Sequence, residues 1–196
     1  MDGQVAAIDV PERKKLQLDS QFTPESVQPV IAELKQAEEG QFFELHMRHN
    51  GGGCVDQLFE LIDVLAATKA DVNITFGRYA MSAAATLWLW FRLRPTPLVR
   101  SLTPLKPSVL MYHRPRRQYG DSYICFAEGF KDDDPIRESL MEKVVRFDKL
   151  FDQMLERAGW RKEAPNQIVI DGVQYQHGLQ FLRDAYYMNQ DCILPI

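Results

Sequence analysis

Phe42-Phe43-Glu44-Leu45-His46-Met47 leads into Asn50-Gly51-Gly52-Gly53, and the chain then continues from Val55 to Ala67. The first of these segments alternates enough to be a strand. The glycines read as a turn. The third segment places Leu58, Phe59, Ile62 and Leu65 on one helical face. A second strand, corner and helix follow downstream, where Val72-Asn73-Ile74-Thr75-Phe76 is a short β-rich run and Ser82 to Phe91 an apolar helix. Upstream, Thr23-Pro24-Glu25-Ser26 opens a helix that reaches about Ala37, with Thr23 as N-cap and Pro24 at the first helical position. Pro97–Ser101 and Val109–His113 read as two further strands. A long amphipathic helix spans about Ile136 to Arg157, with Leu140, Val144, Phe147, Leu150, Phe151 and Met154 at helical spacing. The C-terminal part offers a strand at Ile168–Ile170 and a helix near Leu179–Met188. Strands alternating with helices predict an α/β layered architecture.

Length and composition bound the function. A chain of 196 residues suits one domain, and chains of this size bury roughly 70% of their unfolded surface. Here the domain is expected over residues 20–196, behind a loose polar arm at 1–19 that carries Glu12-Arg13-Lys14-Lys15. A formal net charge of -4 excludes a general nucleic-acid binder. Cys54, Cys125 and Cys192 lie far apart without a CxxC pair, which argues against a zinc site or a disulfide framework and fits a reducing cytoplasm. The residues after Met1 are polar and charged, with no apolar signal core. Ala80–Leu93 is the most hydrophobic stretch. It is short for a bilayer span and ends in Arg92 and Arg94, so a buried helix is expected and no membrane. Asp132, Asp133, Asp134 and Glu138 show no metal-ligand spacing and suit the N-terminus of the long helix. Neither a metal nor another cofactor is expected.

Chemistry is expected where the two corners meet. Right-handed crossovers put the corners after successive parallel strands on one edge of the sheet, where active sites tend to lie. Acyl transfer needs a nucleophile, a base and donors for the developing oxyanion. Ser82 opens a helix, so its hydroxyl and the N–H of Ala83 can both project into a cleft. The glycine turn has no Cβ atoms, so a substrate backbone can approach its N–H groups closely. His113 ends a strand, and Pro115 keeps the chain there from continuing as a helix. Each element alone has a plainer reading: a flexible loop, a helix cap, a structural histidine. Their combination in strand–turn–helix context carries more weight.

These residues resemble the ClpP family of serine peptidases, within the wider ClpP/crotonase superfamily. Leu45 to Val55 is similar to the family's strand followed by Asn-Ser-Pro-Gly-Gly-Ser-Val, with Gly52-Gly53-Cys54-Val55 matching the second half. Gly77-Arg78-Tyr79-Ala80-Met81-Ser82-Ala83-Ala84-Ala85 resembles the nucleophile segment, and Met111-Tyr112-His113-Arg114-Pro115 the Met-x-His-x-Pro segment that supplies the base. The likeness covers roughly residues 20–194, although only these three segments are specific. It implies a ClpP/crotonase-like fold of layered β-α-β units with a long protruding helix after the histidine strand. It also implies Ser82 as nucleophile, His113 as base, an oxyanion hole from the N–H groups of Gly53 and Ala83, and Gly52 pairing with an extended substrate. Partners implied are a homo-oligomeric ring, a peptide or unfolded-protein substrate and a separate ATPase, since the chain has no Walker A pattern.

Asp171, at the end of the Ile168–Ile170 strand, is the acid the resemblance implies, with an insertion of a few residues. Asp171-Gly172 also reads as an ordinary turn, and His177 is a neighbouring alternative. Gly51 stands where the family has proline. Cys54 is read as a small buried residue, Trp88 and Trp90 as core, Arg114 to Gly120 as a solvated basic run, and Tyr186-Tyr187 as a subunit contact. Two other functions compete: a non-catalytic ClpP-like ring subunit, and a crotonase-type acyl-CoA enzyme that uses the oxyanion donors without a serine.

Overall fold

A computed structural model of the chain describes residues 13–126, 131–162, 169–170, 173–174 and 176–196. In chain order these form β1 (Arg13–Gln17), β2 (Ser20–Phe22), α1 (Pro24–Lys35), β3 (Phe42–Gly53), α2 (Val55–Ala67), β4 (Asp71–Met81) and α3 (Ala83–Leu93). There follow β5 (Val99–Ser101), β6 (Val109–Tyr112), β7 (Arg116–Tyr119), β8 (Ser122–Cys125), α4 (Arg137–Arg157), β9 (Val169–Ile170), β10 (Val173–Gln174), α5 (Gln176–Tyr187) and β11 (Cys192–Pro195). The architecture is mixed α/β on a mostly parallel seven-stranded sheet.

β3 and β4 form the centre of that sheet, paired in parallel from Phe42↔Asp71 to Asn50↔Ala80. Both outrun any single neighbour. β1 flanks the first part of β3 and β2 its last part. β5 flanks the start of β4 and β6 its end, and β11 lies beyond β6, antiparallel to it. Because the strands advance in one direction across the sheet, right-handed crossovers place α1, α2 and α3 on one face. Phe43, Leu45, Met47, Val72, Ile74 and Phe76 are buried, and Trp88 of α3 meets Phe76 edge-on at 5.4 Å. On α1, Thr23 and Ser26 cap each other reciprocally: the Thr23 hydroxyl accepts from the Ser26 N–H and the Ser26 hydroxyl from the Thr23 N–H. That arrangement satisfies two donors a helix start leaves open.

Several elements differ from the sequence reading. Arg13–Gln17, inside the stretch expected as a loose arm, is a strand: Leu16 and Leu18 are buried, while Arg13, Lys14 and Lys15 before them suit a sheet edge. The glycine segment continues β3 through Gly53 rather than leaving it, because β4 pairs with β3 up to Asn50 and β2 pairs with it onward to Gly53. The basic run after His113 folds into the β7–β8 hairpin, turning at Gly120-Asp121 with Gly120 at φ +58°, a conformation two-residue hairpin loops need. β11 was not anticipated. As for the long helix, only its first residues stand clear; from Val144 onward it packs, with Phe147, Leu150, Phe151, Met154 and Leu155 buried. Lys143–Asp56 and Arg146–Asp63 ion pairs tie it to α2.

Phe151 closes the core between α4, α5 and β6. Its ring stacks on Tyr186 at 3.7 Å and lies 5.6 Å from Tyr112. Phe151→Ala is expected to cost about 3–5 kcal/mol in urea unfolding. A loss below about 1 kcal/mol would show that this stack does not hold the helices to the sheet.

Candidate functional site

Ser82 sits in the corner between β4 and α3, at φ +51° and ψ −120°. A residue with a Cβ rarely adopts positive φ, and such a conformation costs on the order of 1–3 kcal/mol. The surroundings hold it there. The Ser82 N–H donates to the Met111 carbonyl at 2.6 Å. The Ser82 carbonyl accepts from both the N–H and the hydroxyl of Thr86, each at 3.0 Å. No side-chain cap bond engages the Ser82 hydroxyl, so the plainer reading as a helix cap does not hold. A strained serine at a strand-to-helix corner is the geometry that presents a nucleophile. α3 begins one residue later than the sequence reading, at Ala83. Being the first helical residue, Ala83 has an N–H without an intrahelical acceptor, at the positive end of the helix dipole.

The two glycines face different neighbours. A Cβ added at Gly52 (φ +83°) would overlap the Ser82 Cβ and lie 2.7 Å from the Met81 carbonyl and 2.9 Å from the Ala83 nitrogen. Gly52 is thus the glycine against the serine corner. A Cβ at Gly53 (φ +142°) would instead strike the Phe22 carbonyl at 2.5 Å. Asn50, fully buried, braces the segment. Its amide donates to the Leu18 carbonyl at 2.7 Å, and its oxygen accepts from the Gly52 N–H at 2.9 Å. Pairing of Gly52 with a substrate strand through that N–H therefore has to displace Asn50. Nothing in the sequence reading singled Asn50 out, although an Asx turn is a usual role for asparagine before glycine.

His113 directly follows β6. The parallel register Met81↔Met111 sets Ser82 abreast of Tyr112, so His113 lies one residue further along a neighbouring strand, with strands about 5 Å apart. Nδ1 of His113 lies 2.8 Å from the Arg114 carbonyl. A carbonyl oxygen only accepts, so Nδ1 carries the proton and Nε2 keeps its lone pair. Burial pushes the His113 pKa down, and the Arg116 charge adds to this. The Arg114 carbonyl and Asp191 act the other way without cancelling it. The imidazole is neutral at pH 7, the state a general base needs.

A network the sequence reading missed backs this histidine. Arg114 grips Asp148 of α4 with two bonds, Nε to Oδ1 at 3.0 Å and a terminal nitrogen to Oδ2 at 2.5 Å. The Tyr186 hydroxyl of α5 donates to the same Asp148 at 2.8 Å. The pair is partly buried, so removing one partner leaves the other charge with few replacements. Arg116 pairs with Asp191 at 2.7 Å. Tyr186 is fully buried within its own chain, which corrects its reading as a subunit contact. Arg114 and Arg116 are likewise engaged rather than solvated. Cys54, expected to be buried, is exposed; Trp88 is buried as read. Asp171, and the side chain of His177, lie outside the described residues.

Among the described residues, no group of three or more His, Cys, Asp or Glu side chains is placed to hold a metal ion, and no helix is long and apolar enough to cross a membrane. No protein-family model matches the chain, and no curated protein matches it significantly.

Because Gly52 rests on the serine corner, Gly52→Ala is expected to destabilise the fold by about 1–3 kcal/mol. It should also change the chemical environment of the Ser82 and Ala83 amides in an amide NMR spectrum. A variant with wild-type stability and unmoved amide signals would show that the contact is not tight.

Proposed function

We propose that the chain is a serine peptidase of the ClpP-like kind, with Ser82 as nucleophile and His113 as its base. The observation that carries this reading is the strained serine corner at the end of β4, beside the strand whose next residue is a neutral histidine with its Nδ1 proton on a carbonyl. Metal-free acyl transfer asks for that pairing. The Ser82 oxygen attacks the scissile carbonyl as its proton passes to Nε2 of His113. The carbonyl carbon becomes tetrahedral, and its negative oxygen is met by N–H donors. Ala83, at the helix start, is one of them, and Gly53 is the other that the family resemblance supplies. Each such donor is worth about 3 kcal/mol in the transition state. Collapse then breaks the C–N bond, and Nε2 returns the proton to the leaving amine. Water, activated by the same nitrogen, hydrolyses the acyl-Ser82 ester.

The finer features of this reading also belong to the proposal. They are a ClpP/crotonase-type fold, assembly into a homo-oligomeric ring, peptide or unfolded-protein substrates, a partner ATPase on a separate chain and a cytoplasmic setting. What supports the fold type is the one-directional parallel sheet, in which glycine corner, serine corner and histidine end neighbouring strands.

Two measurements test the chemistry. Diisopropyl fluorophosphate should label Ser82, and Ser82→Ala should abolish turnover of short peptides. Absence of labelling in folded protein would favour the non-catalytic ring subunit, and calorimetric binding of CoA would favour the crotonase-type enzyme. The second measurement is the pH profile. Since His113 is held below its ordinary pKa of 6.5, the neutral base persists on acidification. The acid limb of kcat/KM should therefore have its midpoint below pH 6.5, and a midpoint above it would contradict the buried, neutral imidazole.

A further inference from the structure

We infer that the main-chain carbonyl of Arg114 is the group that orients His113, and that Asp148 and Tyr186 are positioning residues that hold this carbonyl in place. The inference deepens the peptidase reading and rests on it for its catalytic meaning.

Serine hydrolases need something on Nδ1 of the histidine, because an unheld ring samples the tautomer whose Nε2 already carries a proton and cannot accept another. A carboxylate does this and also favours the imidazolium that forms. A peptide carbonyl does the first and gives only weak help with the second. Here the Arg114 carbonyl occupies Nδ1 at 2.8 Å. A carbonyl on a free loop would be a poor orienting group, since it would move with the loop. Residue 114 is not free.

Its guanidinium is held by both oxygens of Asp148, with the Tyr187 ring packed 5.2 Å beneath it. The side chains of Arg114 and Asp148 are only 13% and 19% exposed, so water offers either little alternative. Asp148 is fixed in turn by the Tyr186 hydroxyl, which burial and Asp148 keep protonated well above the usual phenol range. Tyr186 cannot swing away, because its ring is stacked on Phe151. A continuous chain of fixed groups thus runs from α5 through α4 to the imidazole. Among the described residues, the other charges acting on His113 are Arg116 and Asp191. They neutralise each other in an ion pair, which leaves the carbonyl as the directional partner.

The tautomer can be read without any catalysis, from long-range proton–nitrogen NMR correlations of the His113 ring. In the full-length wild-type protein at pH 7.5, His113 should show a protonated Nδ1 and a bare Nε2. Asp148→Asn, which keeps the shape and loses the charge, should give a mixture of tautomers. It should also slow fluorophosphonate labelling of Ser82 by about tenfold or more and lower kcat for peptides with KM little changed. Tyr186→Phe keeps the ring stack and removes one hydrogen bond, so it should move the same readouts by about threefold to tenfold. It also serves if Asp148→Asn does not fold. A folded Asp148→Asn or Tyr186→Phe with the wild-type tautomer and labelling rate would overturn the inference. So would loss of the Nδ1–H form in Asp171→Asn while Asp148→Asn retains it, which would hand the role to a carboxylate. If wild type is not labelled at Ser82 the peptidase reading fails, and the tautomers of the variants still decide this one.

Discussion

Gly52 lies where no side chain fits, pressed between the β-carbon of Ser82 and the first amide of α3. Much of the molecule serves that approach. β3 must run on through its glycines to bring Gly52 to the end of β4, and β2 must flank β3 to keep it extended there. Asn50 ties the same segment to the Leu18 carbonyl on one side and to the Gly52 amide on the other. On the far side, Met111 of β6 takes the Ser82 amide. The strained serine is therefore over-determined by three strands, which is the condition under which a residue stays in a sparsely populated conformation.

The same economy governs the histidine. β6 delivers His113 to the corner, but a strand end does not set the rotation of a ring. That rotation is set from the helical layer, through Arg114, Asp148 and Tyr186. Sheet and helices thus divide the work: the sheet fixes where the groups are, and α4 and α5 fix how the imidazole faces.

The elements with strong internal periodicity were legible in the sequence: α1, α2, α3 and α4, and the alternating starts of β3 and β4; β5, β6, β9 and α5 were legible as well, from apolar runs set between breakers. So was the serine corner, since Ser82 stands between a β-rich run and an apolar helix. The rest depended on partners remote in the chain. β1, β2 and β11 are short, and each is a strand because a neighbour pairs with it; their own residues carry little pattern. β3 was read as ending at Met47 because glycine usually stops a strand; neighbours on both sides override that habit. The basic run after His113 looked solvated because charge is the strongest local signal there. Its meaning comes from Asp148, thirty-four residues away, and from Asp191. Gly120-Asp121 was the one local clue to the β7–β8 hairpin.

The span of the Arg114–Asp148–Tyr186 network has a consequence for biosynthesis. A chain emerging from the ribosome presents its N-terminal segments first. Serine, glycines and histidine all precede residue 114, whereas the groups that immobilise the imidazole arrive only with α4 and α5. A nascent chain that has paired β3, β4 and β6 accordingly carries Gly52, Ser82 and His113 together, with the imidazole ring still free to turn. The fixing of the His113 ring is thereby deferred until the last helix docks.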